Sequence, residues 1–332
     1  MNERLNVLYF FSDSFVEVAA TSIVSLLENN KAFSHITIYV IDDGISKEKR
    51  EMLRGMINSY GRDLVLFPAP DPSAFFNFPF KSRYQMGHSY MRMCIGQLVP
   101  ETVDKILCLD SDTLVLGNLQ KFWNLDMGDN IMAGVADCVN VRAFKRQFML
   151  NQKQMYCNAG MFLIDMNKWR NEGVETKIKE VIQEHNGNIF FFEQTLMNYV
   201  CRDRILRLPP EYNSYTLFYA FKFKNLIIWR RPTNFYSKDE VEKAVKSPQI
   251  IHFTRNFYML SRPWVRGCDH PLTSIYLEYK RMTPWNELSE DNRSFSKKVR
   301  YGFIHLLPQT LLAYIVYVLY NLIRPLLTWK NE

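Results

Sequence analysis

Asp110 and Asp112 close an apolar run of strand length, Lys105-Ile106-Leu107-Cys108-Leu109, with Ser111 between them. Alternate residues of a strand point to one face, so both carboxylates face the same way if the strand geometry persists to its end. Two hard oxygen donors at a strand's C-terminal edge suit a divalent cation. That edge is also where open α/β sheets bind ligands. A cation seated there stabilises a diphosphate as a leaving group. The competing reading is a strand followed by an Asp-rich turn, and the triplet by itself leaves both open.

Strand and helix patterns alternate around this pair. Residues 5–11 read as a strand, and 15–29 as a helix with Ser14 as its cap and Ala19, Ile23, Leu26 and Leu27 on one stripe. A strand over 35–41 ends in the turn signal Asp42-Asp43-Gly44. Ser46 opens a capping-box-like pattern before a helix over 47–59, and 64–67 predicts a short strand. Residues 68–79 read as a loop and 88–98 as a helix closed by Pro100. Further strands are expected over 131–137 and 157–165, and helices over 118–125, 167–185 and 193–201. Residues 139–155 carry no clear pattern, and 204–248 give a mixed one. The order predicts an α/β fold with a mostly parallel central sheet covered by helices.

Four blocks carry a likeness to a known family. They are Tyr9-Phe10-Phe11-Ser12-Asp13-Ser14-Phe15; Tyr90-Met91-Arg92 with Leu109-Asp110-Ser111-Asp112; Tyr156-Cys157-Asn158-Ala159-Gly160-Met161-Phe162-Leu163-Ile164-Asp165 with Lys168-Trp169-Arg170; and Ile251-His252-Phe253-Thr254 with Arg262-Pro263-Trp264. Phe192-Glu193-Gln194 lies between the last two. In order and spacing, over roughly residues 5–285, the chain resembles the retaining glycosyltransferases of family eight, which have the Rossmann-like GT-A fold.

The resemblance implies that His252, otherwise a structural histidine at a strand end, joins Asp110 and Asp112 as a third metal ligand. Manganese is the expected ion, with magnesium the alternative. It places Phe11, Ser12, Asp13, Arg92, Asp110, Ser111, Asn158, Ala159, Gly160 and Arg262 around a UDP-sugar donor. Read without it, Arg92 is a surface cation, 158–160 a tight turn, and Glu193 an acid in a helix's first turn. With it, Glu193 and Gln194 sit beside the anomeric carbon. Gln is a poor nucleophile, which favours same-face attack, with Glu193 offsetting oxocarbenium charge and Gln194 positioning that face. Two features depart from the family pattern. Glu193 stands where Asp is commoner, and Arg255 with a longer segment to Ser261 precedes Arg262-Pro263-Trp264.

The expected activity is transfer of a hexose from UDP-glucose or UDP-galactose to a saccharide or lipid-linked acceptor, as in lipopolysaccharide or surface-polysaccharide assembly. Two other readings stand beside it. A sugar-nucleotide nucleotidyltransferase needs a Gly- and basic-rich loop after the first strand, and residues 11–15 contain no Gly. A non-catalytic sugar-binding or scaffold relative is kept open by Glu193 and Arg255.

The 332 residues, 47% hydrophobic and 23% charged, describe a globular protein. Six cysteines without a C-x-x-C pair fit a reducing compartment. Of the net charge of +7, residues 291–332 supply six basic against two acidic groups. A catalytic domain is expected over residues 1–285 and a basic, aromatic tail over 286–332. Residues 309–324, between Pro308 and Pro325, are short for a membrane span and contain Gln309, Thr310 and Asn321. Three fates are open for the tail: a helix packed on the domain, a true span, and an interfacial helix lying on anionic lipid through residues 293–330. The last is preferred. It implies a cytoplasmic protein, peripheral on the inner face of the cell membrane, and no motif supports nucleic-acid binding.

Overall fold

Seven strands form the central sheet, in the order β3-β2-β1-β4-β7-β6-β8. They are Arg4–Ser12 (β1), His35–Asp43 (β2), Asp63–Pro68 (β3), Lys105–Leu109 (β4), Met132–Ala136 (β6), Cys157–Asp165 (β7) and Ile205–Arg207 (β8). A computed structural model provides these elements and describes residues 3–80, 88–140, 150, 154–189, 191–259, 261–291 and 293–323. Four of the six pairings are parallel, and β7 runs antiparallel to both β4 and β6. The expected mostly parallel sheet is therefore present. Its order reverses at β1, so the C-terminal edges of β1 and β4 lie side by side at a switch point.

A second sheet is small but decides the site. Thr113–Val115 (β5) pairs with Ile250–His252 (β10), which pairs with Ser214–Tyr215 (β9). The antiparallel register sets His252 opposite Thr113, directly after the aspartate pair. The helices of eight residues or more are Val16–Asn29 (α1), Lys47–Ser59 (α2), Val174–Glu184 (α3), Phe192–Val200 (α4), Phe223–Arg230 (α5), Lys238–Lys246 (α6), Thr273–Lys280 (α7), Phe295–Leu306 (α8) and Gln309–Val318 (α9).

Helix α1 is buried on nearly all sides rather than along one stripe, because β5 covers the face an isolated amphipathic helix would give to water. Its polar residues serve that contact. Ser22 Oγ meets Thr113 Oγ1 at 2.9 Å, Ser25 Oγ accepts the Val115 N–H, and Asn29 donates to the Val115 carbonyl. An unpaired backbone group buried there costs about 1–3 kcal/mol. These side chains therefore hold the strand that follows Asp112 in one register.

Several local expectations are corrected. The caps foreseen at Ser14 and Ser46 form no side-chain cap bonds; Ser14 pairs with Ser12, and Asp13 takes the Ser46 N–H instead. The loop over 68–79 contains a short helix, Pro72–Phe76, capped by Asp71. Residues 88–98 form a 3-10 stretch, His88–Cys94, before one α-turn. The helix over 167–185 is two, Met166–Asn171 and α3, broken where Gly173 adopts φ +61°. The patternless residues 139–155 and the tail's last residues lie partly outside the described residues.

After residue 293 the chain forms α8 and α9, with 117° between α8 and the helical run from Gln309 to Ile323. Helix α9 packs on α5 through buried Leu312, Ala313 and Val316. Gln309 accepts from the Lys222 N–H and the Asn225 amide, and Thr310 donates to Asn225. Two polar residues that weakened the membrane-span reading thus fasten the helix to the domain. Among the described residues, no single helix is long and apolar enough to cross a membrane.

Candidate active site

Asp110 lies one residue past β4, in a turn where Thr113 donates to its carbonyl through both N–H and Oγ1. The neighbouring strand β7 supplies the Gly160 carbonyl to the Asp110 N–H, and Asp112 accepts the Phe253 N–H through its carbonyl. The turn is thus tied to the sheet on one side and to the end of β10 on the other. The outcome joins the two readings of the triplet: it is a turn, and it presents both carboxylates to one histidine. His252 Nε2 lies 3.3 Å from Asp110 Oδ2 and 3.2 Å from Asp112 Oδ1.

Asn158 determines which histidine nitrogen is available. Its Oδ1 accepts from the Gly160 N–H, from the Asn213 amide and from His252 Nδ1 at 3.1 Å. An oxygen accepts, so Nδ1 carries the proton, and the lone pair of a neutral ring is on Nε2, toward the carboxylates. Two carboxylate oxygens and one imidazole nitrogen, all within 4.8 Å of one another, fit a manganese or magnesium ion. Burial disfavours the imidazolium, but Asp112 and Asp110 outweigh it and raise His252 to about 10. Binding a cation there releases that proton.

Gly160 makes this arrangement sterically possible. A Cβ on it would lie 2.0 Å from His252 Nδ1. The glycine therefore makes room for the His252 imidazole.

Arg92, buried to 6% exposure, joins the metal seat to the Glu193-Gln194 pair. It meets Asp110 Oδ1 at 2.7 Å, Glu193 Oε1 at 2.5 Å and the Ala159 carbonyl at 3.1 Å. Burial opposes ionisation of Asp110, yet Arg92, His252 and Arg262 together hold its carboxyl below the usual carboxylate range. Glu193 is raised: burial dominates, Arg92 opposes it, and the Asp110 charge adds to it. Gln194 Oε1 accepts the Ala159 N–H and its Nε2 donates to Asp137, both at 2.9 Å.

Arg262 Nη1 lies 2.9 Å from Asp112 Oδ2, with its guanidinium over Trp264. Ser111 is buried and lies against the end of β1. Phe11 and Ser12 end β1 at the switch point. Asp13 is turned to α2, where it accepts the Ser46 N–H and pairs with Lys49 at 3.1 Å. Asp110, Asp112, His252, Arg92, Glu193, Gln194, Asn158, Ala159, Gly160 and Arg262 therefore form one connected cluster, and the carboxylate of Asp13 is engaged elsewhere.

Asp137 was not singled out from the sequence, yet it binds the Asn158 and Gln194 amides through one oxygen. Its signal was visible: it lies one residue past β6, as Asp110 lies one past β4. Asn213, brought in with β9, had no comparable signal.

The chain is similar to several known proteins. General stress protein A of Bacillus subtilis is 24% identical over 86% of this chain and 96% of its own. The lipopolysaccharide 1,3-galactosyltransferase of Salmonella typhimurium is 21% identical over 92% and 87%. Among solved structures, the galactosyltransferase LgtC, crystallised with donor and acceptor sugar analogs, superposes with a TM-score of 0.67. The match covers 89% of this chain and all of LgtC, at 19% identity, and shows the shared GT-A fold. The model of one family spans residues 6–266, from β1 past the Arg262-Pro263-Trp264 block, and the chain belongs to that family, glycosyl transferase family 8.

Proposed function

We propose that this family 8 glycosyltransferase moves a hexose from UDP-glucose or UDP-galactose to a saccharide or lipid-linked acceptor in surface-glycan assembly, with retention of configuration. The observation that carries the reading is the meeting of Asp110, Asp112 and His252, with His252 Nε2 held toward both carboxylates by Asn158. These three would hold the cation, manganese being the first choice. When bound, it supplies Lewis-acid stabilisation of the departing diphosphate.

The remaining chemistry belongs to the chain. Arg262, half-buried beside Asp112, offers a guanidinium to diphosphate oxygens. Gln194, bound at both ends of its amide by Ala159 and Asp137, is a fixed dipole and a poor nucleophile. Glu193, oriented by Arg92, places a carboxylate where positive charge develops on the sugar. Those commitments support same-face attack, in which the leaving diphosphate accepts the acceptor's proton.

The tail gives the proposed place of work, the cytoplasmic face of an anionic membrane. Phe295, Phe303 and Leu306 of α8 and Leu311 and Tyr314 of α9 are exposed and offer it an apolar face. The test of the activity is hydrolysis of a UDP-sugar panel by the purified chain, with and without manganese. One hexose donor should be cleaved only with the ion, and Asp112→Ala should abolish the cleavage. Parent-level cleavage by that variant overturns the metal assignment.

A further inference from the structure

A cavity of about 560 Å³ opens beside Arg262, the residue paired with Asp112. Its walls come from the segment after His252, from Glu290, Asp291 and Arg293, and from one face of α8. The volume is in the range of small-molecule sites.

Its charges are unbalanced. The acids on its wall are engaged: Glu290 with Arg266 at 3.1 Å, and Asp291 with Arg293 at 2.6 Å and Lys298 at 2.9 Å. The cations Arg255, Lys297 and Arg300 form no ion pair among the described residues. Lys297 and Arg300 are three apart on α8, so they share a face. Arg255 and Arg262 line the cavity together. The neutral lining is also incomplete: Asn256 Nδ2 and Ser261 Oγ are buried without a hydrogen-bond partner among the described residues. Two unsatisfied polar groups among unpaired cations call for an oxyanion. Phe257 and Met259 give the cavity an apolar side for the organic part of the same ligand.

The donor's diphosphate already has a place at the aspartate-histidine seat, so a second anion site beside it belongs to the other substrate. We propose that the cavity is an acceptor subsite, in which Arg255, Lys297 and Arg300 hold a phosphate or diphosphate carried by a phosphorylated saccharide. Asn256 and Ser261 complete the contacts. The inference rests on the glycosyltransferase reading and narrows its acceptor to the phosphorylated class.

The test uses the full chain in EDTA, with inorganic pyrophosphate as the probe in titration calorimetry. Pyrophosphate should bind, and the double variant Arg255→Ala/Arg300→Ala should bind it at least about tenfold more weakly. The matching Lys variants should recover most of the affinity. Arg255 and Arg300 are exposed, so folding should be unaffected. Manganese-dependent UDP-sugar hydrolysis by the Ala double variant should stay within about twofold of the parent. Absent pyrophosphate binding, or unchanged affinity in the Ala double variant, overturns the proposal. So does parallel loss of donor hydrolysis, which assigns the cavity to the donor, and so does loss of phosphatidylglycerol-vesicle binding alone, which assigns the cations to lipid headgroups. A parent chain that binds pyrophosphate but cleaves no UDP-sugar refutes the donor reading and leaves the anion site standing.

Discussion

Gly160→Ala is the sharpest test of the metal seat. The added methyl would meet His252 Nδ1 at 2.0 Å and Cε1 at 2.3 Å. Restoring an ordinary contact of about 3.4 Å requires a displacement of roughly 1.4 Å, whereas a metal ligand tolerates about 0.2 Å. The ring has no easy retreat. It is 5% exposed, its backbone lies in β10 between β5 and β9, and its Nδ1 is bound to Asn158. Relief therefore comes from turning the imidazole off Asn158, which removes Nε2 from the carboxylates. Loss of one ligand in three and of its orienting partner should lower manganese affinity about 100-fold or more, or about 2.7 kcal/mol. Overpacking should cost a further ~1–3 kcal/mol of fold stability. Calorimetric titration with manganese, and thermal unfolding in EDTA, separate the two effects. Gly134→Ala is the control: its methyl would sit 3.0 Å from Cys157 Sγ in the same sheet, away from the three ligands. A folded Gly160→Ala protein with parent-level manganese affinity refutes the claim that this glycine makes room for the ligand.

Asp137→Ala removes the common acceptor of the Asn158 and Gln194 amides, so kcat for donor cleavage should fall about 10- to 100-fold while manganese affinity changes less; steady-state kinetics and titration report the two separately. His270 is 4% exposed, and burial lowers it to about 4 from 6.5. A lowered histidine contributes stability that is present above pH 6.5 and is lost as pH falls toward 4. Urea unfolding should show about 2–3 kcal/mol lost through this group between pH 7 and pH 4.5, and His270→Phe should remove that share of the slope. Leu311→Ser with Ile315→Ser, on the exposed face of α9, should release the chain from phosphatidylglycerol vesicles without lowering its melting temperature. Leu312→Ser with Val316→Ser, on the buried face, should lower that temperature by several degrees.

The large sheet was legible because long strands and helices carry their own periodicity. The boundaries of α2 and β7 match the pattern to the residue. The small sheet was not, because β5, β9 and β10 are two or three residues long and hold no period. Their pairing closes a loop of more than 130 residues between Thr113 and His252, so His252 joined the aspartates only through resemblance to a family. The missed cap at Ser14 lost to a local partner, Ser12, and at Ser46 a tertiary partner intervened, since Asp13 reaches the start of α2 from another element. Gly173 broke a helix that periodicity alone continued, and an interior glycine was the available warning. The Arg92 pairings with Asp110 and Glu193 span sequence separations that no local pattern reports.

The bend after α8 makes the tail a bracket. One arm walls the cavity beside Arg262, and the other is fastened to α5 by Gln309, Thr310 and the buried side of α9. Such a bracket fixes the height and tilt of the catalytic cleft above whatever plane the outer faces of α8 and α9 rest on. On a membrane, that height becomes a ruler. On the proposed membrane seat, an acceptor too short would leave its hydroxyl below the cleft and one grown past it would lift the hydroxyl beyond reach, so the fastened tail would select chain length without a contact to the sugars being counted.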